Sequence, residues 1–483
     1  MNVFDILGPV MIGPSSSHTA GAARIGLMTR ALLGKTPVKA HIFLHGSFAK
    51  TYKGHGTDKA LVAGILGMQT DDERIRFSLD VAKKEGLEIQ IETGELENTH
   101  PNTAEITLTA ADGEKVSLRG SSIGGGNILI TRVNGMEVAL TGQNPALIVL
   151  HKDAPGTIAA VTELMAEYGG NICNFHLARE TKGKGEFTVD LNYHSIESLL
   201  KAAKENNCRL SALVLEQQAE QMELPKQEIY KKMRENYRVM ASCIQPGSAP
   251  DLKSTSGLTG GDAYRMRTAV EQGKNLTGPL LGGALYRALA VSELNASMGR
   301  IVAAPTAGSC GIVPAAVLTM QEQYQLTEEE CVMSLFTASA VGMVIANNAS
   351  LAGAQGGCQA ECGSASAMAA AAIVELAGGT PDMIQSAVAT ALKNILGLVC
   401  DPVAGLVEIP CIKRNASGVA GAFVAAELAL AGIRSAIPAD EVIWTMKKVG
   451  DVMPTALKET AEGGLAATPT GRKLHQQVFG EMK

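Results

Sequence analysis

The chain predicts a multidomain fold: an α+β domain first, a small βαββαβ module in the middle, and an all-α domain to close. Three observations carry that expectation. At 483 residues the chain exceeds one hydrophobic core, because cores stop growing near roughly 250 to 300 residues. Along its length the apolar spacing changes from a mixture of two-residue and 3.6-residue periods to the helical period alone. The second half shifts in composition toward Ala, Gly, Ser and Met, and small side chains let helices approach closely.

The first domain is expected over residues 1–142. Short strand-like runs (His41 to Leu44, Glu88 to Glu92, Glu105 to Thr109) alternate there with helical stretches such as Asp58 to Leu66, and glycine-rich patches such as GSSIGGGN at 120–127 mark turns. Residues 145–218 read as strand ALIVLH, a helix after Asp153-Ala154-Pro155-Gly156, strands NICNFHLA and GEFTVDLN, helix SIESLLKAAKEN and strand CRLSALVLE. That order is ferredoxin-like, and the segment resembles an ACT domain, a module that commonly binds amino acids at paired interfaces. By that resemblance a small amino acid is expected at Asp153, Pro155 and Gly156, across a homodimer or larger assembly. Pro155 suits a first helical turn, and Gly156 permits close approach of a ligand. A polar helical linker, 219–240, then leads into an all-α domain over 241–483.

Composition narrows the function. A formal net charge of −6 supplies no basic footprint for nucleic acid or anionic membrane, so neither is expected as a partner. The first residues, MNVFDILGPVMIGPSSSHT, lack the basic, apolar and small-residue succession of a secretory signal. The most membrane-like run, Ser334 to Ala354, carries Asn347 and Asn348, whose amides are costly in lipid, and reads as a buried helix. Nine scattered cysteines fit reduced thiols in a cytoplasm better than a secreted disulfide scaffold.

Within the helical domain, Cys310, Cys331, Cys358, Cys362, Cys400 and Cys411 stand out as candidates. Cys331 stands in a plain helical run and reads as a small buried hydrophobe. Cys358, Cys400 and Cys411 are flanked by Gly356-Gly357, Pro402 and Pro410, breakers that let backbone approach a bulky group. The three form no CxxC pair, which disfavours a zinc ribbon. Cys362, four residues after Cys358, can share its helix face and rivals it on spacing alone.

The segments GPSSSHTAGAARIG, KGHGTDKA, GSSIGGGN, TSGLTGGD, AAPTAGSCGIVPA, GGCQAECGSASAMAAAA, CDPVAGLVEIPC and KRNAS together resemble the iron-sulfur L-serine dehydratases. The likeness spans both outer regions and implies a fusion of what is elsewhere a two-chain enzyme. It implies a 4Fe-4S cluster on Cys358, Cys400 and Cys411 but not Cys362, L-serine as substrate, room for a monovalent cation, and no pyridoxal phosphate. Three thiolates leave one iron open as a Lewis acid. Some single-chain relatives end in a cysteine that can occupy that iron. This sequence ends QQVFGEMK, so no such blocking is expected, and regulation is expected from the ACT-like segment.

The chemistry also needs a base near neutral pH, for which histidine is best suited. His55, between glycines in KGHGTD, is expected in a loop as that base. His18 follows three hydroxyl residues at an expected helix start, and Ser15, Ser16, Ser17, His18 and Thr19 are expected to bind the substrate carboxylate through hydroxyls and free N–H groups. Arg414 and Asn415, just after Cys411, are candidates for a further carboxylate contact. TSGLTGGD and NASMGRIVAAPTAGSCG are expected to line the cavity. Gly124, Gly125 and Gly126 could form a phosphate nest for pyridoxal phosphate, but no lysine has a matching setting, and the resemblance favours anion binding or a domain contact. Two alternatives stay open: a related lyase acting on cysteine, threonine or a hydroxy acid, and a non-catalytic serine sensor.

Overall fold

The computed structural model describes residues 1–142, 157–167 and 195–480. The expected effector residues Asp153, Pro155 and Gly156, and the three expected strands within 146–192, lie outside them.

The N-terminal unit is built on a six-stranded sheet. Its strands are β2 (Pro37–His45), β3 (Glu88–Gly94), β4 (Asn102–Ala110), β5 (Lys115–Gly124), β6 (Asn127–Val133) and β7 (Met136–Leu140), in the order β3-β2-β4-β5-β6-β7. Only β2 and β3 run parallel; all other neighbours are antiparallel. Alternating side chains of β4, such as Ala104, Ile106 and Leu108, are buried against helices α1 (Ala22–Leu33) and α3 (Thr57–Ile65). Those two helices touch almost backbone to backbone. A Cβ on Gly64 would stand 2.1 Å from the Ala23 carbonyl oxygen, and one on Gly26 2.4 Å from that of Leu61. Between them in sequence lies α2 (Gly46–His55), and α4 (Ser78–Lys84) precedes β3.

The GSSIGGGN turn joins β5 to β6 and packs on the helical domain. Cβ atoms on Gly125 and Gly126 would stand 3.3 Å from the Asp5 carbonyl oxygen and 3.1 Å from Pro9, and Arg24 donates to the Gly126 carbonyl at 2.9 Å. Cβ atoms on Gly124 and Gly125 would stand 3.6 Å from Ala352 Cβ and 3.7 Å from the Pro305 carbonyl oxygen, so the turn also lies against the helical domain.

After α5 (Thr157–Glu167), helices α6 (Ile196–Glu205) and α7 (Leu210–Gln221) correct the expected organisation. CRLSALVLE is not a strand. Leu210, Leu213 and Val214 fall at helical spacing and are buried in the same core as helix α13 (Glu328–Asn348), while Asp440 caps α6 by accepting from Ile196 N at 2.7 Å. Residues 195–221 thus belong to the helical domain. So does the expected linker: α8 (Lys226–Ser242) buries Ile229, Met233, Tyr237 and Met240 in that core.

The helical domain continues through α9 (Ile244–Gly247), α10 (Asp262–Glu271), α11 (Gly278–Ala296), α12 (Ile312–Tyr324), α13, α14 (Gly353–Gly356), α15 (Ser364–Leu376), α16 (Pro381–Lys393), α17 (Cys411–Leu430), α18 (Ala439–Val452) and α19 (Pro469–Phe479). Every residue from Ser364 to Glu375 is buried, and the alanines among them let α12, α13, α16 and α17 close around α15. α13 is long and apolar enough to cross a membrane, and 78% of its apolar window is buried inside the protein. Its start is fixed by a capping box between Thr327 and Glu330.

The chain's first residues tie the two units together. Val3, Ile6 and Leu7 are buried in the helical core, the Val3 N–H donates to Gln218 at 2.9 Å, and β1 (Val10–Ile12) pairs antiparallel with β8 (Arg300–Val302).

Candidate active site

Histidines and hydroxyls come from the N-terminal unit. Ser15 caps a π-helical turn, Ser16–Gly21, its Oγ accepting the His18 N–H at 3.2 Å, and Ser16, Ser17, His18 and Thr19 are buried. His18 Nδ1 lies 3.3 Å from Ser15 Oγ and Nε2 lies 3.0 Å from Ser47 Oγ, at the start of α2. Both ring nitrogens are therefore held, which fixes the ring.

His55 is the last residue of α2, which Gly56 closes at φ +66°. The expected loop histidine is thus a helix-terminal one, wholly buried, because a left-handed glycine lets α2 stop and α3 begin at once. Its carbonyl accepts from Thr19 Oγ1 at 3.1 Å, yet neither ring nitrogen has a hydrogen-bond partner among the described residues. A buried, unpartnered imidazole is costly unless a ligand completes it. Its ring meets that of His18 edge-to-face, centroids 4.4 Å apart. Burial, then the neighbouring His55 and His100, hold His18 well below the usual histidine value, and burial lowers His55 to about 4. Near neutral pH both rings are uncharged and can accept a proton.

Thiols come from the helical domain. Cys358 precedes the π-helical turn Gln359–Gly363 that runs into α15, and Cys411 is the first residue of α17. The positive end of a helix dipole favours a thiolate at such positions. Cys400 sits in an extended segment bridged to Lys458. Cys358, Cys362 and Cys400 are buried and Cys411 partly so. The fold brings these sulfurs into mutual electrostatic range: Cys358 and Cys411 each raise Cys400, and Cys358 raises Cys411, after the larger effect of burial. Cys362 Sγ is 3.4 Å from Cys358 Sγ and holds Cys358 below the ordinary thiol range. Cys310 instead packs with Cys243 and Val291, and Cys331 with the α13 core.

Two carboxyl groups complete the site, and the sequence reading missed both. Burial raises Glu361 to about 7, against the opposing effects of Thr306 and Arg414. A Cβ on Gly353 would stand 2.8 Å from Glu361 Oε2 and 3.1 Å from Cys400 Sγ, so the glycine leaves open a cradle that any side chain would fill. Glu459 donates its N–H to the Cys400 carbonyl at 2.9 Å, and its Oε1 reaches within 4.0 Å of His18 Nδ1. Burial, then Glu361 and Cys358, push it well above the carboxylate range. One ligand atom each of His18, His55 and Glu459 lie within 4.8 Å of one another. Glu361 could be suspected from its place between two cysteines in GGCQAECG; nothing in KETAEGG marks Glu459.

Arg414 and Asn415 are engaged with the protein. Arg414 donates to the Val399 carbonyl and to Asp401, both at 2.9 Å. Asn415 accepts from Gly311 N at 2.9 Å and donates to the Gly308 and Cys411 carbonyls at 2.7 and 3.0 Å. It clamps the 308–311 loop onto α17. The TSGLTGGD hydroxyls Ser256 and Thr259 donate to buried Glu408 at 3.0 and 2.7 Å. Thr255, Ser256 and Glu408 line a cavity of about 160 Å³ with Pro14, Gly54 and Gly56, the residues adjoining Ser15 and His55. A larger open groove beside Asp262 and Lys413 contains none of these cysteines or histidines.

Thiols and carboxyls, with Arg414 the guanidinium acting on these sulfurs among the described residues, make a donor set short of positive charge, which suits a cationic iron group. Comparison with known proteins agrees with this division of labour. Residues 2–82 match the family model for the serine dehydratase beta chain, and residues 205–466 that for the alpha chain. A probable L-serine dehydratase alpha chain of Bacillus subtilis is 52% identical over 60% of this chain and 96% of its own length. The corresponding probable beta chain from that organism is 49% identical over 38% of this chain and 83% of its own. An L-serine dehydratase of Streptomyces coelicolor is 34% identical over 96% of this chain and 98% of its own.

Proposed function

Since the chain belongs to the L-serine dehydratase family in its fused beta–alpha form, we propose that it converts L-serine to pyruvate and ammonia on a 4Fe-4S cluster held by Cys358, Cys400 and Cys411. One observation carries the reading. Buried thiols from three separate segments of the helical domain meet, across Glu459, two buried neutral histidines from the other unit.

When bound, such a cluster supplies an iron without a protein ligand, a Lewis acid that makes the substrate hydroxyl a better leaving group. The chain's own residues do the rest. The N–H groups and hydroxyls of the Ser15–Thr19 turn take the substrate carboxylate, as helix starts do for anions. His55, whose ring nitrogens have no hydrogen-bond partner among the described residues, accepts the proton from the carbon that bears the nitrogen. His18, braced by Ser15 and Ser47, orients that ring and keeps it in place. The C–H electron pair becomes the new double bond as the hydroxyl leaves with a proton as water. The resulting enamine rearranges to an imine, and water hydrolyses it to pyruvate and ammonia. Burial of both histidines excludes bulk water from the proton transfer.

Anaerobically purified protein should be brown, contain iron and sulfide, and form pyruvate from L-serine. Colourless protein with full activity, or undiminished activity and iron content in Cys400→Ser, would overturn the reading. Regulation is assigned to residues 145–194 on their sequence pattern, with a small amino acid at Asp153 to Gly156, in a cytoplasmic dimer or larger assembly. Deleting 146–194 should change the serine dependence or the assembly mass; identical kinetics and mass would exclude that role.

A further inference from the structure

We propose that Glu459 forms the subsite for the substrate's ammonium group and so selects α-amino acids over α-hydroxy acids. The inference rests on the L-serine dehydratase reading and deepens it.

Geometry comes first. The nitrogen and the reacting hydrogen of an α-amino acid are attached to the same carbon, and the N–Cα bond is about 1.46 Å long. A base for that hydrogen and an acceptor for that nitrogen must therefore lie close together. Glu459 is the carboxyl group whose oxygen shares a 4.8 Å neighbourhood with ring nitrogens of both His18 and His55. It is buried, and among the described residues no lysine or arginine pairs with it within 4 Å; its ion-pair distance is to His18. A buried carboxyl without a cation is a poor structural device but a good receptor for one brought by a ligand.

The backbone specifies its position. Glu459 adopts φ +60°, a left-handed conformation that side-chain-bearing residues seldom take, and its N–H donates to the Cys400 carbonyl. Cys400 N in turn donates to the Leu457 carbonyl at 2.9 Å. The 457–459 segment is thereby stitched to the segment that carries a thiol, so the carboxyl group faces the histidines from the thiol side. The Ala354 N–H, in the 350–357 loop, offsets part of the rise that burial imposes on the Glu459 carboxyl. An α-hydroxy acid offers Glu459 one neutral donor where an α-amino acid offers three charged ones, and charge-assisted bonds are roughly twice as strong.

The test uses the holoenzyme and two unreactive probes, L-alanine and L-lactate, which share the carboxylate and differ in ammonium against hydroxyl. Their binding is measured by anaerobic equilibrium dialysis, with iron, sulfide, visible spectrum and melting temperature as controls. Glu459→Gln should weaken L-alanine by about 100-fold, the scale of a lost charged hydrogen bond, and move L-lactate by less than about threefold. Equal weakening of both probes, or no weakening of L-alanine, overturns the subsite. If Glu459→Gln loses iron, Glu459→Asp is read instead: the carboxylate withdraws by one methylene, and L-alanine must weaken more than L-lactate or the proposal fails. Wild-type protein that forms pyruvate while the variant binds both probes unchanged would sink the subsite and leave the dehydratase reading intact. Wild-type protein that makes no pyruvate, with L-alanine alone lost in the variant, would do the reverse.

Discussion

His55 shows what one buried side chain contributes. Its two ring nitrogens lie in the interior without hydrogen-bond partners among the described residues, an arrangement that weakens the fold and makes sense where a substrate completes it. Glutamine in its place keeps a polar side chain of similar reach but removes the base. Pyruvate formation by His55→Gln should fall by roughly 10² to 10⁴, the usual worth of a positioned base, with iron content unchanged. Full retention of kcat would remove His55 from the mechanism. Stability gives an independent reading. The folded value is about 4, below the ordinary 6.5, so between those values the unfolded chain binds a proton that the folded chain refuses. Stability is thus fully present above about pH 6.5 and falls as pH drops toward 4, by on the order of 3 kcal/mol for this ring. Denaturant titrations from pH 4 to 8 should show a shallower acid decline for His55→Gln; His18, shifted in the same direction, keeps some of it. An unchanged decline would mean that the ring is already solvated.

Helices meet here through missing side chains as much as through present ones. Gly64 lets α3 approach α1 until a Cβ would lie 2.1 Å from the Ala23 carbonyl oxygen and 2.7 Å from Leu27 N. Because backbone cannot step aside as a side-chain tip can, Gly64→Ala should destabilise the protein by about 1–3 kcal/mol and displace the turn that holds His55. Gly421 supplies the contrast, since nothing lies within 4 Å of its absent Cβ inside α17. Gly421→Ala should stabilise by up to about 1 kcal/mol. Equal thermal shifts for the two would show that the close approach of α1 and α3 is relaxed in solution. The same elements show what the sequence could reveal. The strands around His41, Glu88 and Glu105 and the long helical runs were legible because their periods are local. CRLSALVLE was not: a short apolar run fits strand and helix alike, and packing with α13 decides for helix. Helix-breaking neighbours made Cys358, Cys400 and Cys411 candidates, and the family resemblance alone set them apart from Cys362. Glu459 reaches the site only because Cys400 bridges to Lys458, a pairing that no local pattern encodes.

At the scale of the molecule, the groups proposed for catalysis are divided between two units that elsewhere are separate chains. His18 and His55 belong to the segment like the beta chain, and the four site cysteines, Glu361 and Glu459 to the segment like the alpha chain. Peptide continuity is then less important than the surfaces that join them. Those surfaces are substantial: Val3, Ile6 and Leu7 fill the helical core, β1 pairs with β8, and Met11 and Ala20 pack with Val291 and Ile301. Burying three such aliphatic side chains is worth about 1.5–3 kcal/mol each, before the β1–β8 hydrogen bonds. Residues 1–194 and 195–483, co-expressed as two polypeptides, should therefore co-purify as a complex that forms pyruvate. The 195–483 polypeptide alone retains Cys358, Cys362, Cys400 and Cys411 and should bind iron, yet it lacks His18 and His55 and should form no pyruvate. Because it also lacks Val3, Ile6 and Leu7, it exposes an apolar pocket and should melt below the complex. Substituting Ile6 and Leu7 by Asp in the first polypeptide should abolish co-purification, since charges would replace the side chains that enter the core. Pyruvate formation by 195–483 alone would contradict the assignment of the base to the N-terminal unit, whatever its iron content.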